Sequence, residues 1–113
     1  MQAVTKIVFY TDEQEKFFGE GLCRLLRGVE RTGSLRAAAG EMGMAYTKAL
    51  KLLQNAEKAL GFALTERAAG GRCGGGSRLT PEGKEWLARY EAYRDACIQA
   101  NRRLYLDFFP GQR

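Results

Sequence analysis

A mainly α domain with small β elements is the fold class this sequence predicts, and three observations carry it. Apolar residues recur at helical spacing over four stretches, β-branched and aromatic residues cluster only in short runs, and five glycines crowd into residues 70–76 between two such runs. A length of 113 residues, 45% apolar and 27% charged, fits one domain over 1–113 with a modest core of its own.

The chain opens on an expected β-hairpin over residues 4–18. Thr5-Lys-Ile-Val-Phe-Tyr10 is rich in strand formers, Thr11-Asp-Glu-Gln-Glu15 is a polar turn, and Lys16-Phe-Phe18 is a short return strand. Leu22, Leu25, Leu26 and Val29 then recur at helical spacing up to Gly33, a C-terminal stop. Ser34 is a good N-cap for a second helix of about two turns, with Leu35, Ala38, Ala39 and Met42 on one face and Gly43 at its end.

A third helix runs from Ala45 to Leu60. It turns Tyr46, Ala49, Leu50, Leu53, Ala56 and Leu60 inward and Thr47, Lys48, Lys51, Asn55 and Lys58 outward, and Gly61 closes it. Short strands are expected over 62–67 and 78–80, with the glycine stretch as the loop between them. Thr80 N-caps the last helix, Pro81 fits its first position because the missing N–H would be unpaired there anyway, and Glu82 suits its positive end.

That last helix spans 81–109 and carries Trp86, Tyr90, Tyr93, Cys97, Ala100 and Leu104 at alternating steps of four and three, the spacing of a coiled-coil seam. A helix of this length, roughly 40 Å, exceeds what a small domain can cover, so part of the seam is expected to meet a second copy of the chain.

A short Ala-rich helix, a turn at Gly43 and a third helix with a basic outer face are the parts of a helix-turn-helix, and the strand-loop-strand after them adds a wing, so that a winged helix-turn-helix spans 19–80. On this reading Ala45, Tyr46, Thr47, Lys48 and Lys51 lie where a recognition helix reaches base edges, and Ser34 and Arg36 lie on the helix that crosses the DNA backbone. Arg72 and Arg78 sit in or beside the wing, to grip phosphates or enter a minor groove; the plain alternative is that they are solubilising charges. Cys73 beside Arg72 is either a thiol with lowered pKa or incidental, and Cys23 and Cys97 fill apolar faces.

Other functions find little support. Histidine is absent, which removes Ser-His-Asp and Cys-His nucleophile pairs and His-containing zinc sites, and the three cysteines have no paired spacing. The expected protein is therefore not an enzyme and holds no metal or cofactor. Gly76-Ser77 lacks the lysine of a phosphate loop and runs into a strand instead of a helix. A net charge of +5 and a pI near 9.3 favour a polyanionic partner, double-stranded DNA on this reading. No apolar run spans a membrane and no signal-peptide pattern opens the chain, so the expected location is the cytoplasm, with no membrane partner. The alternative is a winged-helix module that docks a protein through the aromatic seam and does not touch DNA.

From Phe18 to about Tyr93 the chain resembles the N-terminal DNA-binding domain of the ModE family of molybdate-responsive regulators, itself similar to the winged helix-turn-helix of LysR-type regulators. The residues that carry this are Phe18-Gly-Glu-Gly21, Thr32-Gly-Ser34 with Ala37-Ala38-Ala39, Gly43-Met-Ala-Tyr46 with Lys48-Ala49, Glu66-Arg67, Gly70-Gly71, Gly74-Gly-Gly-Ser77, and Leu79-Thr80 with Gly83. The resemblance implies a homodimer at promoters, with residues 45–51 opening the recognition helix and the glycine-rich loop as wing. Two departures stand out: Ala45 where the family often has serine, and Leu50 where it often has tryptophan. The chain stops after the long helix, where the family's oxyanion-binding domain usually follows. No C-terminal effector domain is therefore expected, and neither molybdate nor tungstate sensing carries over.

Overall fold

The computed structural model describes residues 1–68 and 76–111, and its elements run β1 (Phe9–Tyr10), β2 (Lys16–Phe18), α1 (Glu20–Thr32), α2 (Leu35–Glu41), α3 (Tyr46–Leu60), β3 (Thr65–Ala68), β4 (Gly76–Leu79) and α4 (Pro81–Phe108). Two antiparallel two-stranded ribbons, β1-β2 and β3-β4, flank a helical core. In β3-β4 the register runs from Thr65 opposite Leu79 to Ala68 opposite Gly76.

The helix ends follow backbone chemistry. Gly33 and Gly61 take left-handed conformations at φ 74° and 83° and close α1 and α3, and Gly43 at φ 65° makes the turn between α2 and α3. Ser34 accepts the Ala37 N–H to cap α2, while Thr80 accepts the Gly83 N–H at 2.8 Å to cap α4. Thr80 also donates to the Ala63 carbonyl at 2.6 Å, and its own N–H reaches the Leu64 carbonyl at 3.0 Å, which locks the start of α4 to the foot of the wing.

The core gathers Leu25, Leu26 and Val29 of α1, Ala38 of α2, Ala49 and Leu53 of α3, and Leu87 and Tyr90 of α4. Small residues set two close approaches. A Cβ on Gly28 would stand 2.9 Å from the Ala38 Cβ, so α1 and α2 touch there, and a Cβ on Gly83 would strike the Leu64 carbonyl. Ion pairs bind α4 across α1: Arg27 grips Glu91 with two nitrogens, and Arg94 reaches Glu20 at 3.1 Å.

Two segments differ from the sequence expectation. The hairpin expected over residues 4–18 pairs only at Phe9 with Phe18 and Tyr10 with Lys16, because Gly19 turns the chain into α1 and leaves nothing further to pair. Residues 1–8 run instead as an arm along α4, held by Tyr90 Oη to the Ile7 carbonyl (2.8 Å), Asn101 Nδ2 to Thr5 Oγ1 (2.7 Å) and Tyr105 Oη to the Met1 carbonyl (3.0 Å). The strand expected from Phe62 begins at Thr65, since the Leu64 N–H is taken by the Glu57 carboxylate at 2.7 Å.

Candidate nucleic-acid interface

α3 presents a polar outer face because its apolar residues follow one stripe: Ala49, Leu53 and Ala56 are buried, and Thr47, Lys48, Lys51, Gln54, Asn55 and Lys58 are exposed. Ala45 precedes the helix, exposed and without a side-chain cap, and Tyr46 is half-buried. The turn ahead of α3 is pinned by Met44 N–H to the Ala39 carbonyl at 2.9 Å and Gly43 N–H to the Gly40 carbonyl at 3.0 Å. Lys48 and Lys51 form no salt bridge among the described residues, so their charges face outward unneutralised.

The second half of α3 has a different flank. The β1-β2 turn, with Asp12, Glu13 and Glu15, lines a shallow groove shared with Asn55, Lys58 and Ala59. Cationic side chains without nearby carboxylates thus belong to the first two turns.

Ser34 is half-buried and its Oγ is spent on capping α2. Arg36, exposed two residues further, has its guanidinium carbon 4.2 Å from the centre of the Tyr46 ring. On the wing, Arg78 pairs with Glu66 at 3.4 Å directly across the strands; as an exposed pair this is worth about 0.2–1 kcal/mol and leaves the guanidinium open to a stronger anion. The wing is tied to the core by Ser77 N–H to the Gly33 carbonyl at 2.8 Å, and a Cβ on Gly76 would lie 2.9 Å from that oxygen. Arg72 and Cys73 lie outside the described residues.

On α4 the expected seam divides, and one member must be corrected. Tyr90 is 2% exposed, stacked edge-on against Phe18 at 4.8 Å and bonded to the arm, so it belongs to its own chain's core and not to a partner. Trp86 is half-buried against Phe9 at 5.5 Å and Phe18 at 5.4 Å. Tyr93 and Leu104 are 51% and 54% exposed, with Cys97 and Ala100 half-buried between them. A second stripe, Leu87, Arg94, Asn101 and Tyr105, turns toward α1 and the arm. The apolar periodicity missed it because three of its members carry polar groups.

Cys23 is buried beside Glu91 and Glu20, and desolvation, helped by those carboxylates, pushes its thiol up to about 11. The expectation of a purely apolar surrounding is thus corrected, since Glu91 and Arg94 also reach its sulfur at 3.7 and 3.8 Å. Among the described residues no group of His, Cys, Asp or Glu is arranged to hold a metal, and no helix is long and apolar enough to cross a membrane.

Residues 21–84, more than half of the chain, match the bacterial regulatory helix-turn-helix proteins of the lysR family. The chain belongs to that family. It is 41% identical over 68 residues to the molybdenum-pterin-binding protein MopB of Rhodobacter capsulatus, covering 60% of this chain and 25% of that protein. To the molybdenum transport protein ModE of Herbaspirillum seropedicae it is 44% identical over 64 residues, 57% of this chain and 24% of that protein. The chain thus spans about a quarter of the length of the curated relatives it matches. Among solved structures, the DNA-binding domain of CbnR in complex with DNA superposes with a TM-score of 0.60 at 21% identity, covering 77% of this chain and 94% of that one. The BenM DNA-binding domain on a catB site gives 0.53 at 25% identity, covering 74% and 91%.

Proposed function

We propose that this helix-turn-helix protein regulates transcription in the cytoplasm as a homodimer on a two-fold-related DNA site. The first two turns of α3 enter the major groove, Thr47 and Lys48 meeting base edges and Lys51 a phosphate or a guanine, with Ala45 and Tyr46 at the groove's lip. Ser34 and Arg36 face the backbone beside that groove, and Arg78 and Arg72 carry the wing to a phosphate or the minor groove. Tyr93, Cys97, Ala100 and Leu104 meet their counterparts across the dimer axis, with Trp86 at the edge of the contact.

The observation that carries this reading is the exposed, unneutralised pair Lys48 and Lys51 on the helix that follows a pinned four-residue turn. A solvated basic helix face is common, and the turn and the wing on either side of this one favour DNA. The molybdenum in the relatives' names is not assigned to this chain, which matches only about a quarter of each.

Selection of bound sequences from random duplex DNA by the purified protein, with and without molybdate or tungstate, tests the reading. Enrichment of inverted repeats, unaltered by either oxyanion, is expected. Failure to enrich any duplex would remove the proposal.

A further inference from the structure

Arg36 and Tyr46 open successive helices ten positions apart in the chain, and the turn at 42–45 brings the guanidinium over the ring, its carbon 4.2 Å from the ring centre. Each partner is held on its own account. Ser34 caps α2 two residues before Arg36, and Tyr46 is half-buried where it packs against the core at the start of α3. Arg36 forms no salt bridge among the described residues, so its charge is not consumed within the chain.

A guanidinium stacked on a ring offers its face to the π system and keeps its in-plane N–H groups free for a forked bond to a phosphate. Stacking also removes rotamer freedom that an unsupported arginine would lose on binding. Resting on the DNA-binding reading above, we propose that Tyr46 is a positioning residue. Its ring holds Arg36 ready for a backbone phosphate of duplex DNA at the edge of the groove that α3 enters. A phosphate is the favoured target over a base because Arg36 lies on the helix ahead of the recognition helix, where contacts fix register and carry no sequence information.

The test is a double-mutant cycle measured by fluorescence anisotropy on a selected duplex and a scrambled one across a salt series. Arg36→Ala is expected to weaken both duplexes alike and lower the salt slope by about one unit. Tyr46→Leu should weaken both by about threefold to fivefold, while Tyr46→Phe, which keeps the ring, stays near wild type. The double variant Arg36→Ala with Tyr46→Leu should bind no worse than Arg36→Ala alone. Arg36→Lys, a surface change that keeps the charge and loses the stacked fork, should hold the slope and lose affinity about as Tyr46→Leu does. Additive losses in the double variant, or wild-type affinity in Arg36→Lys, would overturn the positioning role and leave DNA binding standing. A wild-type protein that binds neither duplex would defeat both.

Discussion

α3 and α4 are both amphipathic, the first closed by Gly61 and the second opened by Thr80 and Pro81, and they are opposite in what they leave outside. The outer face of α3 is Thr47, Lys48, Lys51, Gln54, Asn55 and Lys58; that of α4 includes Tyr93 at 51%, Leu104 at 54% and Phe108 at 75% exposure. Exposed lysines are ordinary, so α3 draws its meaning from the pinned turn before it and the wing after it. Large apolar groups repeated at seam spacing along a helix are less ordinary and imply a cover of their own kind. On the function proposed above, the two helices therefore meet different partners, a polyanion for one and a protein surface for the other.

The contrast is broken most strongly from the inside of α4. Leu87→Ala empties a fully buried position and should cost about 2–5 kcal/mol, read as a lower urea midpoint with an unchanged slope. Tyr93→Glu, on the outer stripe, should lower the midpoint far less, by the lost stack on Phe9, and shift solution mass from dimer to monomer at micromolar concentration. A dimeric Tyr93→Glu protein would take the seam away from α4 and leave the alternative of docking a different protein.

The tie between α4 and α1 predicts a smaller, pH-dependent effect. The Arg27 guanidinium holds the Glu91 carboxyl below its ordinary range, so the folded state favours the charged form. Its contribution is complete above the ordinary carboxylate pKa and is lost as pH falls through the depressed one. Wild type should therefore lose its advantage over Glu91→Gln on acidification below the ordinary carboxylate range, followed by thermal melts. A difference that stays constant with pH would contradict it.

Smallest in energy, yet sharp in readout, is the pair Cys23 and Cys97. With its thiol held up to about 11, Cys23 should resist alkylation near neutral pH, and half-buried Cys97 on the outer side should be modified first, as peptide mass spectrometry would show. Equal rates would mean that α1 and α4 part readily.

What the sequence alone made legible follows the same division. Residues that act locally were readable: Gly33, Gly43 and Gly61 at their left-handed positions, Ser34 and Thr80 as caps, Pro81 at the first turn of α4. The outer face of α3 was readable for the same reason, since helical period assigns it. Residues that act across the fold were not. Thr5 to Val8 have strand propensity, and tertiary contacts override it because β2 is short and α4 offers hydroxyl and amide partners. Tyr90 fits the seam spacing as well as Tyr93 does; the packing of Phe18 against it and its bond to the Ile7 carbonyl assign it inward. The Arg36 stack on Tyr46 depends on the angle between two helices, which no spacing rule encodes.

The central claim is that the opening turns of α3 are the DNA surface, and one titration bears on it most directly. Anisotropy of a selected duplex is followed from about 50 to about 200 mM salt for wild type and for the Lys48→Ala, Lys51→Ala double variant. The account predicts weaker binding with a salt slope lower by up to about two units, at unchanged melting behaviour and unchanged solution mass. A folded double variant with wild-type affinity and wild-type slope would contradict it.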